Sequence, residues 1–114
     1  MDSLARTDRV KKIADLNDAF RRSLMGGRVV VTSGVAALGQ RAQVEALQAV
    51  QAFNTFTPDN DPYGEHDFGS LSVRGHEFFW KIDYYDPSLT RHSDDAADPS
   101  VTVRVLTVML TEEY

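Results

Sequence analysis

The densest group of titratable side chains is the block DNDPYGEHD at positions 59–67, which combines four carboxylates with a histidine. An imidazole next to carboxylates can exchange protons near neutral pH, which is the requirement for general acid–base catalysis. We therefore take Glu65 and His66, together with Asp83, as the candidate catalytic residues. No nucleophile has a recognisable setting, because the residues around Ser33 do not form GxSxG.

The same block offers weak metal-binding patterns. Asp59 and Asp61 followed by Gly64 are similar to the first half of a calcium loop, but Ser70 stands where the closing glutamate would fall. Imidazole and carboxylate would suit zinc, manganese or iron, but neighbours on an extended strand project to opposite sides. We expect these side chains mainly to satisfy loop amides, and we predict no metal site and no cofactor. As binding rather than catalytic residues we take Asp59, Asp61, Tyr63, Asp67 and Tyr85.

Two stretches have the apolar spacing of amphipathic helices. The first covers residues 7–25, with Thr7 as its cap and Gly26-Gly27 as its end. The second covers residues 40–53. The apolar positions are Val10, Ile13, Leu16, Phe20 and Leu24 in the first helix and Val44, Leu47, Val50 and Phe53 in the second.

Strand patterns occupy the intervening and later segments. Residues 28–32 form a β-branched run closed by a turn at Ser33-Gly34. Residues 68–73 form a hairpin with the alternating stretch from 77 to 85. Phe78, Trp80, Ile82 and Tyr84 should face the core. Residues 101–110 read as a central strand covered on both faces, with a helix over 104–113 as the alternative. Polar loops are expected at 57–64 and 87–99.

The predicted order is α-β-α-β-β-β. We expect a single α+β domain over residues 1–114, with two helices packed on a mainly antiparallel sheet of about four strands. The chain of 114 residues has no cysteine, which excludes disulfides and thiolate metal sites. It has no apolar run of the roughly 20 residues that span a bilayer, and we expect a cytoplasmic protein without membrane contact.

Charge is distributed unevenly along the chain. Residues 1–53 carry eight Lys/Arg and five Asp/Glu, a net of +3, whereas residues 54–114 carry four and twelve, a net of −8. Acidic surface repels phosphate backbones, so we do not expect direct nucleic-acid binding. Acidic surface does suit a basic protein partner.

Five stretches carry a family resemblance: LNDAFRR (16–22), GGRVVVTSGV (26–35), FTPDNDPYGEHDFG (56–69), FFWKIDYYD (78–86) and ADPSVTVRVLTVMLTEEY (97–114). Together they resemble the bacterial family of unknown function DUF3768. The most specific part is DNDPYGEHDFG followed by WKIDYYD. The resemblance implies a small bacterial protein, mostly alphaproteobacterial and often encoded on plasmids or other mobile elements, with no assigned activity.

Two functional hypotheses follow from the sequence. The favoured one is a non-enzymatic, acidic protein-binding or inhibitor-like accessory protein, related to mobile elements or anti-defence, that engages a basic, nucleic-acid-binding partner. The alternative is a small metal-dependent or acid–base hydrolase centred on Glu65, His66 and Asp83. The sequence leaves a homodimer open.

Overall fold

The structure is a computed structural model that describes the backbone of residues 2–114 and the side chains from residue 6 onward. In this part of the chain, two short 3-10 turns lie at Pro99–Val101 and Thr111–Glu113. The helices and strands are α1 (Asp2–Ser23), β1 (Arg28–Val31), α2 (Ser33–Ala36), α3 (Gln40–Ala52), β2 (Phe68–Val73), β3 (His76–Tyr85) and β4 (Val103–Leu110).

The strands form one sheet in the order β1-β4-β3-β2. β3 pairs antiparallel with both β2 and β4, whereas β1 runs parallel to β4. A parallel pair needs a long crossover connection, and here the chain between β1 and β4 supplies α2, α3 and the β2–β3 hairpin. The α+β class and the mainly antiparallel sheet are therefore as predicted.

The β2–β3 hairpin follows from two local features. Arg74 and Gly75 form its two-residue turn, and both have positive φ (54° and 81°), as a type I′ turn requires. Within the hairpin, Gly69 pairs with Trp80, and a Cβ at Gly69 would lie 2.5 Å from the Trp80 Nε1 atom. Glycine at this position therefore lets the indole ring lie flat against the neighbouring strand.

The hydrophobic core lies on one face of the sheet. Phe78, Trp80, Ile82 and Tyr84 are all buried there, as predicted, and fully burying such a side chain contributes roughly 1.5–3 kcal/mol. The helices pack on this face. In α3 the buried residues are Ala42, Ala46 and Val50. Val44 was predicted to face the core but is 46% exposed, because the small alanines form the packed side of the helix.

Helix α1 differs from the prediction at both ends. It begins at Asp2, so Thr7 lies inside the helix and does not cap it. It ends at Ser23, ahead of the glycine pair, and Leu24 takes the left-handed conformation (φ 58°) that usually ends a helix at glycine. Ile13 and Phe20 are buried as expected, since they lie on the core side of the helix.

Among the remaining segments the turn predicted at Ser33-Gly34 is wrong, whereas the strand and the polar loop predicted in the second half are present. The short helix α2 replaces the expected turn at Ser33-Gly34, because the Thr32 hydroxyl accepts a hydrogen bond from Val35 N and starts a helical turn. Residues 103–110 form a strand, which excludes the alternative helix over 104–113. The polar loop over 87–99 packs into the protein, with Ser93, Ala96 and Ala97 buried.

The second face of the sheet carries no packed α-helix of the described chain, so β4 is covered by helices on one side only. Side chains alternate along a strand, and paired residues share a face. The centroid of the Phe79 ring lies 5.1 Å from that of Phe68 and 5.3 Å from that of Tyr114, so Tyr114 covers part of this surface. We call this surface the helix-free face; it includes Val30, Phe68, Phe79, Lys81, Asp83, Tyr85, Val103, Val105 and Thr107.

Candidate functional site

The loop between α3 and β2, which carries most of the predicted site residues, is shaped by local hydrogen bonds. Thr57 N donates to Asn60 Oδ1 (2.8 Å), and Asn60 Nδ2 donates to the Thr55 carbonyl (2.8 Å). This agrees with the structural interpretation of these polar residues. Asp59 is exposed, and Tyr63 is 82% exposed, so neither lies in a pocket with the rest of the block.

His66 lies at the centre of a compact polar cluster. Its Nδ1 atom is 3.0 Å from the Asp18 carboxylate, and its Nε2 atom is 3.6 Å from Asp61 Oδ2. Its ring stacks on Phe56 with 3.9 Å between centroids. Asp18 also accepts a 2.7 Å hydrogen bond from Arg21 Nη2, which is fully buried. The imidazole therefore ties the loop to α1, and both of its nitrogens already face carboxylates.

A second polar chain runs through the core from β4 to the loop. Arg104 Nε donates to Asn17 Oδ1 (2.7 Å), and Asn17 Nδ2 donates to the Tyr84 hydroxyl (2.8 Å) and to the Glu65 carbonyl (2.9 Å). The Tyr84 hydroxyl donates to Glu65 Oε1 (2.8 Å). Burial raises the pKa of Tyr84, so this phenol stays protonated and can donate to the carboxylate.

Asp67 has the most strongly perturbed carboxyl group of the site. Burial, together with the nearby carboxylates of Glu65, Asp61 and Asp83, raises its pKa to about 6. A group that titrates near neutral pH is a common property of functional sites, although structural clusters also produce it. Negative charge is therefore concentrated where the loop joins β2.

A groove of about 410 Å³ opens beside this region. Its lining includes Glu65, Tyr84, His92 and Asp94. Arg9 also lines the groove and pairs with Asp95 at 3.0 Å. The groove therefore brings a carboxylate, a phenol and an imidazole to one surface, which is a set of groups that can bind a polar ligand or transfer a proton.

The structure does not bring the three candidate catalytic residues together. Asp83 lies between the buried Ile82 and Tyr84 on β3, so its side chain projects to the helix-free face, where it pairs with Lys81 at 3.1 Å. Glu65 and His66 lie on the helical side. Among the predicted binding residues, Asp61 and Asp67 lie near His66 and Glu65, whereas Tyr85 lies on the helix-free face.

The described residues contain no group of three or more His, Asp or Glu side chains arranged to hold a metal ion. The nearest approach is the set around His66, whose two nitrogens already face Asp18 and Asp61. We therefore derive no metal chemistry from this cluster.

Several residues of the two networks are absent from the sequence-based prediction. Asn17 and Arg21 are fully buried on α1, and Asp18 joins Arg21 to the loop. The helical spacing indicated their burial. Asn17 stands four residues after Ile13 and three before Phe20, and Arg21 stands four residues after Asn17, so all four share the core side of the helix. Arg104, Leu106 and Val108 likewise share one strand face, so the alternation marked the arginine as core-facing. His92 gave no such signal, since a loop residue has no periodicity.

The described residues form an α+β domain with one layer of helices, one sheet face without a packed α-helix, and a buried polar network. The model of the family DUF3768, described as a protein of unknown function, matches residues 31–113, and the chain belongs to this family. A search of curated proteins found no match. A search of solved structures found none either.

No helix in the described part of the chain has the length and apolar character needed to cross a bilayer. The longest helix, α1, contains many charged residues along its 22 positions.

Proposed function

We propose that this chain is a non-enzymatic, acidic protein-binding protein whose partner is a basic, nucleic-acid-binding protein. The observation that carries this proposal is the helix-free face of the sheet. A half-buried sheet surface with several aromatic residues has the composition enriched at the centres of protein interfaces. The inhibitor-like role, the mobile-element setting and the cytoplasmic location remain parts of the proposal.

The aromatic residues of this face support the proposal. Phe68, Phe79 and Tyr114 form a cluster with ring centroids 5.1–5.9 Å apart, and Tyr114 is 78% exposed. Tyr85 and the 46% exposed Val30 extend the apolar surface toward its other side. Several aromatic side chains on one sheet face, here with the Lys81–Asp83 ion pair between Phe79 and Tyr85, are typical of an interaction site.

The charge distribution supports a basic partner. Residues 54–114, which supply β2, β3 and β4, carry four Lys/Arg and twelve Asp/Glu. Three of these four cations already pair with carboxylates, as Arg74 does with Glu45, and Arg104 is buried. Asp59, Asp94 and Glu112 are exposed, and their carboxylates can attract a positively charged surface.

The test uses two valines with the same exposure on opposite sides of the protein. Val30 on the helix-free face and Val44 on α3 are each 46% exposed, so Val30→Lys and Val44→Lys are matched changes. We expect both variants to fold, because lysine is well tolerated on an edge strand and on an exposed helix. Val30→Lys places a positive charge in the proposed interface and should repel a basic partner.

The tagged protein and both variants are used to capture proteins from a nuclease-treated alphaproteobacterial lysate at low and high salt. The wild type and Val44→Lys should retain the same basic, nucleic-acid-binding protein at low salt, and Val30→Lys should lose it. Purified partner should then bind directly in calorimetry. Equal capture by the two variants, or the recovery of no basic partner, would contradict the proposal.

A second candidate, a small acid–base hydrolase, is favoured by the groove beside Glu65. Glu65 and His92 line the same 410 Å³ space, and the Tyr84 hydroxyl holds the Glu65 carboxylate. A panel of p-nitrophenyl esters, phosphates and glycosides tests this candidate. Turnover should be lost in Glu65→Gln and kept in Asp83→Asn, because Asp83 lies on the opposite face. Absence of turnover in the wild type rejects the candidate for these substrate classes.

A further inference from the structure

Arg104 is a buried cation without a carboxylate partner. Arg104 is 5% exposed. Its guanidinium donates hydrogen bonds to two neutral acceptors, Asn17 Oδ1 (2.7 Å) and the Ala96 carbonyl (2.6 Å). Among the described side chains, no carboxylate oxygen comes within the 4.0 Å of an ion pair. A guanidinium has five N–H donors, so most of them remain available.

This arrangement is electrostatically incomplete. Buried charges in proteins are normally paired, because removing an ion from water costs several kcal/mol. Burial accordingly lowers the pKa of Arg104. Glu65 favours the cation from a distance but reaches it only through Tyr84 and Asn17. The guanidinium also lies over the Tyr84 ring, 5.2 Å from its centroid, but none of its hydrogen-bond acceptors is an anion.

A groove of about 250 Å³ is lined in part by Arg104. It lies between the C-terminal half of α1 and residues 99–104, and Arg104 is the one charged residue in its described lining. Leu16, Phe20, Met25 and Pro99 supply apolar walls. The volume is slightly below the roughly 300–1,000 Å³ of pockets for drug-sized ligands, so it suits a smaller molecule.

We infer that this groove binds a small carboxylate with a short apolar body, held by a charge-assisted hydrogen bond from the guanidinium of Arg104. Arginine and carboxylate have matching geometry, and the pair is stronger where water is excluded. The apolar walls select against a bare inorganic anion, which could not replace its hydration in this groove. The inference concerns the helical side of the protein and does not depend on the proposed interface.

Titration of the ¹⁵N-labelled protein tests this inference. The probes are hexanoate, its neutral amide hexanamide, and inorganic phosphate at millimolar concentrations. Hexanoate should shift the Arg104 Nε–H resonance and the Gly26 and Thr102 amides saturably, and both other probes should bind at least about tenfold more weakly. The absence of saturable shifts, or binding by hexanamide or phosphate as tight as that of hexanoate, would overturn the inference.

Matched alanine variants locate the binding. Ala19 and Ala52 are both exposed helix residues, but only Ala19 lines the groove. Ala19→Leu should fill the groove and weaken hexanoate binding by about tenfold or more, whereas Ala52→Leu should leave it unchanged. These variants do not touch the core arginine, so the result does not depend on whether an Arg104 substitution folds. Equal binding by both variants places the ligand elsewhere and rejects the inference.

Discussion

The two buried arginines of this protein lie on the same face of the sheet and meet different surroundings. Burial lowers the pKa of both. Arg21 has a carboxylate partner, Asp18, at 2.7 Å, and donates as well to the carbonyls of Val50 and Phe53 at the end of α3. Arg104 has only neutral acceptors. Similar burial therefore accompanies an ion pair at Arg21 and a cation at Arg104 that has only neutral hydrogen-bond acceptors and the Tyr84 ring.

Arg21 stabilises the packing of α1 against the end of α3. The last carbonyls of a helix lack intrahelical partners, and the helix dipole makes this end negative. Arg21 donates to carbonyls at the end of α3 while Asp18 balances its charge and also contacts His66. One side chain thus joins α1 to α3 and, through Asp18, to the polar loop.

The largest expected effect is on the Arg21 side of this comparison. Arg21→Met should lower the free energy of unfolding by about 3–5 kcal/mol, because Asp18 and the α3 carbonyls lose a buried partner. Urea denaturation followed by circular dichroism measures the change. The control is Arg22→Met, at a position 62% exposed and 4.0 Å from Asp18, which should change stability by no more than about 1 kcal/mol.

A loss after Arg21→Met no larger than that of the control would contradict this account. It would mean that the carbonyls of α3 and the Asp18 carboxylate find water or other partners when the guanidinium is absent.

The second prediction concerns Arg104. Arg104→Met should cost about 2 kcal/mol, less than Arg21→Met, because Asn17 Oδ1 and the Ala96 carbonyl lose a donor but no buried carboxylate is left unpaired. The same denaturation experiment gives the comparison. If the two methionine variants lose equal stability, the distant Glu65 acts as a full counter-ion and the contrast between the arginines fails.

Much of the fold could be predicted from the sequence, because the spacing of apolar residues indicates where helices and strands form and which side of each is buried. The alternation from Phe78 to Tyr84 fixed both a strand and its buried face, and the turn at Arg74-Gly75 fixed the hairpin. The helix ends were less predictable, since Leu24 ends α1 in a conformation that glycine usually adopts. Local propensity favours a helix end at Gly26-Gly27, whereas the observed helix ends at Ser23, where Leu24 packs against the core.

The candidate site was less predictable, for a physical reason. The polar block identified the loop that carries Glu65, His66 and Asp67, but a site depends on what the loop packs against. Asp18 stands 48 residues before His66, and Asn17 stands 87 residues before Arg104. No local pattern encodes such pairings. By contrast, alternation along a strand does show which face a side chain takes, and it places Asp83 on the face opposite to that of Tyr84.

The smallest expected effect concerns the Asp67 carboxyl group and the pH dependence of stability. If Arg104 does not neutralise the carboxylates around Glu65, then Asp67 should remain costly to ionise. Its pKa of about 6 lies above the usual 3.8, so the folded state holds a proton that the unfolded state has lost between these values. The contribution of Asp67 to stability is therefore fully present below pH 3.8 and is lost as the pH rises through about 6.

Asp67→Asn should consequently raise the free energy of unfolding at pH 7 by about 1 kcal/mol, a value that allows for partial solvent screening. The gain should shrink as the pH falls toward 4 in a series of urea denaturations. Asp59→Asn is the control, because its carboxylate is exposed and is not among the groups that raise the pKa of Asp67, so it should show no such gain. A destabilised Asp67→Asn protein at pH 7 would mean that a cation or hydrogen-bond donor balances this carboxylate, which contradicts this account.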